Sequence, residues 1–347
     1  MPKPIVPLVD RPFISYMLEW LSEHGVDDVV LSCGFMAAEM RAALGDGADL
    51  GLRLRYLEEP EPLGTGGALK FAEELLDERF FMLNGDILTD INLSEQLDQH
   101  ERTGALGTLA LIAVEDPSAY GLVQLREDQS VAEFVEKPGP EQVESNLINA
   151  GAYVLERRVL DQMPPAGTNI SIERDVFPTL AEGGLFGFPA NGYWLDIGTP
   201  ERYLTATWDI LEGNVQTNVG RRLREGGLTL VNGAKLEGRV VAPALVGEDS
   251  VVGEGAVVGG RTVLGRGVKI GAGAHVESSV VLAGTSIGER STIRSSILAP
   301  DVSIGRHCQV LDGVVLGQGV QIGADNVLGA GARIFPGVQL PDRAISF

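Results

Sequence analysis

The sequence predicts an α/β domain built on a mostly parallel sheet, followed by a left-handed parallel β-helix. Two observations carry this: helical and strand patterns alternate up to about residue 212, and from about Val240 an aliphatic residue recurs every six positions. Sharp polar turns at the ends of apolar strands add a third, because ligands in open α/β sheets sit beyond the carboxyl ends of the strands.

The first pattern begins with FISYMLEWLSEHG, whose apolar residues fall at helical spacing and which ends on Gly25, a left-handed C-terminal cap. VDDVVLSCG and LRLRYLEE then read as strands, GALKFAEELL as a helix, and RFFMLNGD as a buried strand stopping at a polar turn. Such alternation implies helices covering both faces of the sheet.

In the second pattern Val246, Val252, Val258, Leu264, Ile270, Val276 and Leu282 are spaced by six. After one five-residue step the series resumes at Ile287 and Ile293 and runs through Leu298, Ile304, Val310, Leu316, Ile322 and Leu328 to Ile334. A small or β-branched residue such as Ser250, Ala256, Thr262, Val268 or Ala274 follows four positions after each aliphatic. No α-helix has this period; a hexapeptide repeat is the signature of a β-helix whose flat faces stack coil on coil. The division expected is a first domain at 1–212, a linker at 213–239 and the β-helix at 240–347.

At 347 residues the chain is long enough for two cores. Its formal net charge of −21 repels a polyanion, so nucleic acid is not an expected partner, whereas a small anionic substrate needs only a few local cations. No apolar run approaches the length of a membrane span and no secretory h-region is visible, so the expectation is a cytoplasmic protein without a membrane partner. Cys33 and Cys308 match no metal or redox spacing and read as buried or half-buried thiols. Asn169-Ile170-Ser171 fits a glycosylation sequon that lacks a secretion route.

Several stretches carry chemistry. Leu63-Gly64-Thr65-Gly66-Gly67 links a strand ending at Glu59 to a helix; its glycines fit close approach of a flat ligand or phosphate, and equally a plain tight turn. Asp86, after Asn84-Gly85, and Asp196, before Gly198-Thr199-Pro200, stand at strand ends, where two carboxylates could share one Mg²⁺ or each serve as a turn or cap residue. Lys3, Lys70, Lys137, Lys235 and Lys269 are the only lysines. Lys137, beside Glu136 at the end of an alternating strand, fits a phosphate cation or an edge gatekeeper. Asn149-Ala150-Gly151 suits hydrogen bonding to sugar hydroxyls, and Glu173, in a first helical turn capped by Ser171, fits a binding carboxylate or one that balances the helix dipole.

Taken in order, PKPIVPLVDRP, LGTGGAL, LNGD, FVEKP, NAGAY, SIERDVFP and WLDIGTPERY, followed by hexapeptide repeats, resemble the sugar-1-phosphate nucleotidylyltransferases, most of all the mannose-1-phosphate guanylyltransferase branch. The resemblance implies a Rossmann-like nucleotidyltransferase domain and transfer of a nucleotidyl group, GMP from GTP first, to a hexose-1-phosphate, mannose-1-phosphate first, with pyrophosphate released. It implies that Asp86 and Asp196 hold Mg²⁺, that Lys3 approaches the phosphates and that Lys137 meets the phosphate of the sugar. Glu136, Asn149, Gly151 and Glu173 would face the sugar, while Glu59, Gly64, Thr65, Gly85 and Asp86 would serve the nucleotide. Glu59 stands where thymidylyl- and uridylyltransferases usually carry Gln; a carboxylate only accepts hydrogen bonds, which suits the two adjacent donors of guanine.

Members of the family begin with a strand and a phosphate loop of the form GGxGTRLRPLT, and PKPIVPL is the stretch that follows it. Neither precedes it here, so the expectation is a native chain that starts earlier, or a truncated or degenerate member. By resemblance that strand belongs mid-sheet, and its absence leaves unpaired backbone and apolar edges on both neighbours.

Other readings stay open at this point: a UTP- or dTTP-dependent glucose-1-phosphate nucleotidylyltransferase, a non-catalytic regulatory or scaffold paralogue, and an acyltransferase using His275 or His307, both in unbroken repeats. A homo-oligomer assembled through the β-helix is expected.

Overall fold

The computed structural model describes residues 2–34, 36–135, 145–227, 229–231 and 233–346. The chain forms two compact units, Met1–Val6 with Pro12–Trp194, and Pro7–Arg11 with Leu195–Phe347.

In the first unit, strands β1 (Asp28–Cys33) and β2 (Arg53–Glu58) pair in parallel, with helices α1 (Ile14–Glu23) and α2 (Ala37–Leu44) preceding and separating them. Helix α1 stops at a Gly25 of φ +81°, as its C-cap glycine requires. After α3 (Gly64–Phe71) and β3 (Arg79–Leu83) come α4 (Leu93–Thr103) and the strands β4 (Gly107–Ala113), β5 (Leu122–Leu125), β6 (Val131–Val135), β7 (Leu147–Glu156) and β8 (Leu185–Pro189). The larger sheet runs β8-β4-β7-β5-β6, with β3 also on β7. Here β8 joins β4 in parallel, while β7 runs antiparallel to β3, β4 and β5, so the sheet is mixed around its longest strand.

Among the described residues β1 pairs only with β2 and β3 only with β7. Val29, Val30 and Leu31 on β1 and Phe80 to Leu83 on β3 are half-buried, in contrast to Leu109 to Leu111 of β4, each 0% exposed. RFFMLNGD is thus half-buried where its composition suggests a buried strand, and among the described residues it pairs along one edge. Val29, Leu31, Phe81 and Leu83 pack against one apolar cluster.

The second unit holds α5 (Pro200–Glu212), α6 (Asn218–Glu225) and a β-solenoid of short parallel strands in three faces, with seven, seven and six strands among the described residues. Helix α6 and the first coil, which begins at Thr229, occupy the segment 213–239. The aliphatic ladder is the core: Val246, Val252, Val258, Leu264 and Val276 are 0% exposed. Leu282 is not part of it. Val281, paired with Leu264 and Leu298, points inward instead, because the turn Glu277-Ser278-Ser279 is one residue shorter than the usual corner. Buried corner residues are satisfied in place: Ser250 donates to the Gly265 carbonyl at 2.9 Å and accepts from the Val268 amide at 3.1 Å.

Helix α5 is fixed along this solenoid by Trp208, whose Nε1 donates to the Ser278 carbonyl at 3.2 Å, by Arg261 on Glu212 and by Arg333 on Glu201. The segment Pro7–Arg11 is held in the same unit, its Pro7 carbonyl accepting from Tyr203 Oη and Asp10 facing Arg222 at 3.4 Å. Burial pushes the Tyr203 phenol up.

Candidate active site

The turn Lys3–Ile5, tightened by the prolines on either side of Lys3, brings the Lys3 ammonium to Asp86 Oδ2 at 2.9 Å, with both side chains nearly half exposed. Asp86 stands just past β3, and the preceding Asn84 is locked to β7 by its amide, which donates to the Gly151 carbonyl at 2.8 Å. Gly151 has φ +74°, and a Cβ there would lie 2.8 Å from Asn84 Nδ2, so only glycine lets the two strand ends meet this closely. Lys3, Gly85, Asp86 and Gly151 thereby share one end of the sheet.

Asn149 sits at an irregularity in the β7–β4 register that ends at Tyr153. Its Nδ2 donates to Tyr153 Oη at 2.8 Å and its Oδ1 accepts from the Gly151 amide at 3.0 Å, so its amide group braces the bulge. Trp194 Nε1 donates to the Ala150 carbonyl at 2.8 Å, and Tyr120 meets the Trp194 ring edge-on at 5.3 Å.

The glycine loop is filled by the chain itself. A Cβ on Gly64 would stand 2.5 Å from the Ile170 carbonyl oxygen, and one on Gly67 2.3 Å from that of Thr168. Those glycines admit the segment 168–172, whose Ile170 carbonyl accepts from the Gly66 and Gly67 amides and whose amide donates to the Leu63 carbonyl. Asn169, the sequon residue, donates to the Pro62 carbonyl at 2.8 Å. Thr65 Oγ1 donates to Glu173 Oε2 at 2.7 Å and accepts from the Ile172 amide at 3.0 Å. Glu59 Oε1 accepts from Ser32 Oγ at 2.7 Å, and its Oε2 from the Leu63 amide at 3.2 Å. Sequence reading missed Ser32; no motif marks it, because its partner lies 27 residues on, just past the end of the neighbouring strand.

Asp196 belongs to the second unit, where its Oδ2 faces Arg202 Nη1 at 2.8 Å. Thr199 caps α5, accepting from the Arg202 amide, with Pro200 as first helical residue, and so the local chain fixes both Arg202 and the turn that carries Asp196. Glu136 and Lys137 lie outside the described residues. No cluster of three or more His, Cys, Asp or Glu able to hold a metal occurs among the described residues. Mg²⁺ asks for less: one or two carboxylates, with phosphates and waters completing its shell. The half-exposed Asp86 carboxylate, already facing a cation in Lys3, fits that donor chemistry.

His275 faces Glu277 and His307 faces Asp325, each about two-fifths exposed on the solenoid surface. Cys33 and Cys308 are buried free thiols, both pushed up in pKa by burial first. No helix among the described residues is long and apolar enough to cross a membrane.

Comparison with known proteins gives this arrangement a setting. The Nucleotidyl transferase family model matches residues 1–213. The chain belongs to this family. A second model, described as the GMPPB C-terminal domain, matches residues 240–345, which lie in the solenoid. The mannose-1-phosphate guanylyltransferase of Mycobacterium tuberculosis is 36% identical over 249 residues, covering 69% of this chain and 68% of that one. The catalytic subunit beta of that name from Drosophila pseudoobscura pseudoobscura is 38% identical over 209 residues, which cover 59% of this chain and 55% of that protein. The chain thus spans between about half and two thirds of the length of these relatives. Among solved structures, HddC from Yersinia pseudotuberculosis superposes with TM-score 0.53 at 28% identity, covering 59% of this chain and 88% of that one. The same protein complexed with GMP-PN gives TM-score 0.52 at 27% identity, with the same coverage.

Proposed function

We propose that the protein transfers GMP from GTP to mannose-1-phosphate, releasing pyrophosphate. The observation that carries this reading is the meeting of Lys3 with Asp86 at the strand end beside Gly151, in a chain 36% identical to a mannose-1-phosphate guanylyltransferase. An exposed cation and carboxylate at the carboxyl end of a strand suit a reaction whose burden is positioning and charge neutralisation.

A phosphate oxygen of the sugar-1-phosphate attacks the α-phosphorus of GTP. A new P–O bond forms, the bond from the α-phosphorus to the α–β bridging oxygen breaks, and pyrophosphate leaves with that electron pair. Asp86 and Asp196 are the carboxylates that would hold Mg²⁺, which would supply charge neutralisation at the phosphate oxygens. Lys3 reaches the nucleotide phosphates from its place beside Asp86, Lys137 meets the phosphate of the sugar, and Glu136, Gly151 and Glu173 face the sugar ring. The Glu59 carboxylate accepts from the two adjacent donors on the guanine edge, since each of its oxygens retains a lone pair beyond the bonds from Ser32 and Leu63. Asn149, braced within its bulge, acts on the sugar through the shape it gives to Ala150 and Gly151. The site serves in the cytoplasm, in a homo-oligomer joined through the solenoid.

A pyrophosphate-release panel of four NTPs against mannose-1-phosphate, glucose-1-phosphate and a heptose-1-phosphate tests the reading. GTP with mannose-1-phosphate gives the fastest release; no release from any pair overturns it.

A further inference from the structure

We infer that Thr65 is a positioning residue for the sugar side of the site, fixing Glu173, and takes no direct part in holding the nucleotide. The inference rests on the transferase reading above. Both hydrogen-bonding capacities of the Thr65 hydroxyl are directed at the segment 171–173: the proton goes to Glu173 Oε2 at 2.7 Å, and a lone pair takes the Ile172 amide at 3.0 Å. Ser171 Oγ donates to the same Oε2 at 2.7 Å and accepts from the Arg174 amide at 3.3 Å. Two short hydroxyl bonds to one carboxylate oxygen are charge-assisted and fix the rotation of the group. Oε1, which accepts no bond from any described residue, is then presented in a single orientation, as an acceptor for vicinal sugar hydroxyls.

The loop carrying Thr65 is seated on the segment carrying Glu173 by backbone bonds as well, from Gly66 and Gly67 to the Ile170 carbonyl and from Ile170 to Leu63. Glu59, four residues before Leu63, accepts the Leu63 amide. The residue set that faces the base and the carboxylate that faces the sugar are therefore two ends of one hydrogen-bonded unit, with Thr65 at the joint. Thr65 is exposed, so an isosteric valine leaves the apolar core intact.

The test compares wild type with Thr65→Val and Thr65→Ser in steady-state pyrophosphate release, varying each substrate in turn, together with hydrogen–deuterium exchange over residues 168–176. Thr65→Val raises KM for the sugar-1-phosphate about tenfold, the loss of one charge-assisted bond, and leaves KM for GTP within about twofold. It also speeds amide exchange at Ile172, and Thr65→Ser restores both readouts. A rise in KM for GTP with that for the sugar unchanged overturns the inference, as does a valine variant with wild-type kinetics. A wild-type protein inactive with every substrate pair instead refutes the transferase reading; the exchange comparison then still decides whether Thr65 holds the 171–173 segment, and unaltered exchange in Thr65→Val rejects that link.

Discussion

Ser32 on β1 donates its hydroxyl to Glu59 Oε1 at 2.7 Å, tying the carboxylate just past the end of β2 to the neighbouring strand. With the Leu63 amide on Oε2, this gives Glu59 a fixed plane. Glu59→Gln turns one acceptor into a donor and opposes the guanine edge. We expect kcat/KM for GTP relative to UTP to fall by about tenfold or more, since a mispaired polar contact discriminates strongly. Ser32→Ala moves the same ratio less, in the same direction. Unchanged nucleotide preference in Glu59→Gln contradicts the role given to Glu59.

Asp86→Asn keeps the shape of the Lys3 contact and removes the charge. Turnover drops by at least on the order of 100-fold, with melting temperature little altered, because an exposed ion pair contributes little to stability. Lys3→Met lowers turnover as well, by on the order of 10- to 100-fold. Steady-state kinetics beside thermal melts separate these effects from unfolding.

The solenoid register gives a stability prediction. Val281 faces the core at 0% exposure, while its neighbour Leu282 is half-buried. Val281→Thr places a hydroxyl among aliphatic side chains and costs about 1–3 kcal/mol, whereas Leu282→Thr costs less. Urea unfolding of the two variants reads the difference; equal costs contradict the register.

His100 is 1% exposed, with Nδ1 2.8 Å from Thr108 Oγ1 and Nε2 3.2 Å from Glu156 Oε1, which also faces Arg79. Burial lowers the imidazole pKa against the opposing pull of Glu156. A histidine with a depressed folded pKa takes up its proton more readily when unfolded, so stability is lost as pH falls below the unfolded value of about 6.5. One such group contributes a slope of at most about 1.4 kcal/mol per pH unit. Burial lowers the pKa of His24 too, so the contribution of His100 is read as a difference: His100→Gln loses less melting temperature than wild type between about pH 7 and 5.5. Glu156 adds nothing in this window, since its own pKa, raised by burial but lowered further by Arg79 and His100, lies in the acid range.

Much of this molecule was legible in its residues, for physical reasons. The solenoid announces itself because each coil must place an aliphatic residue inward at a fixed step, and only the short corner at Glu277-Ser278-Ser279, with aliphatics on both following positions, hid which of Val281 and Leu282 turns in. Asp86 and Gly151 were visible because polar turns at strand ends are local features. By sequence the glycines at 64 and 67 fit either ligand approach or a tight turn; their neighbours are the Ile170 and Thr168 carbonyls, a contact between segments about a hundred residues apart that no local pattern encodes. The same holds for the hydroxyls of Thr65 and Ser32, whose carboxylate partners Glu173 and Glu59 stand on other segments. Which strands β1 and β3 pair with among the described residues is set by long-range partners, which sequence gives only through resemblance.

Transfer of GMP from GTP to a sugar phosphate at the strand end that carries Asp86 makes the α-phosphorus the atom to follow. Phosphorus-31 NMR of GTP, mannose-1-phosphate, Mg²⁺ and the full chain follows that phosphorus directly. The expected result is a pair of diphosphate-ester resonances growing in step with pyrophosphate while both substrates decline together. GTP that persists, or that yields only GDP and inorganic phosphate with mannose-1-phosphate untouched, contradicts it.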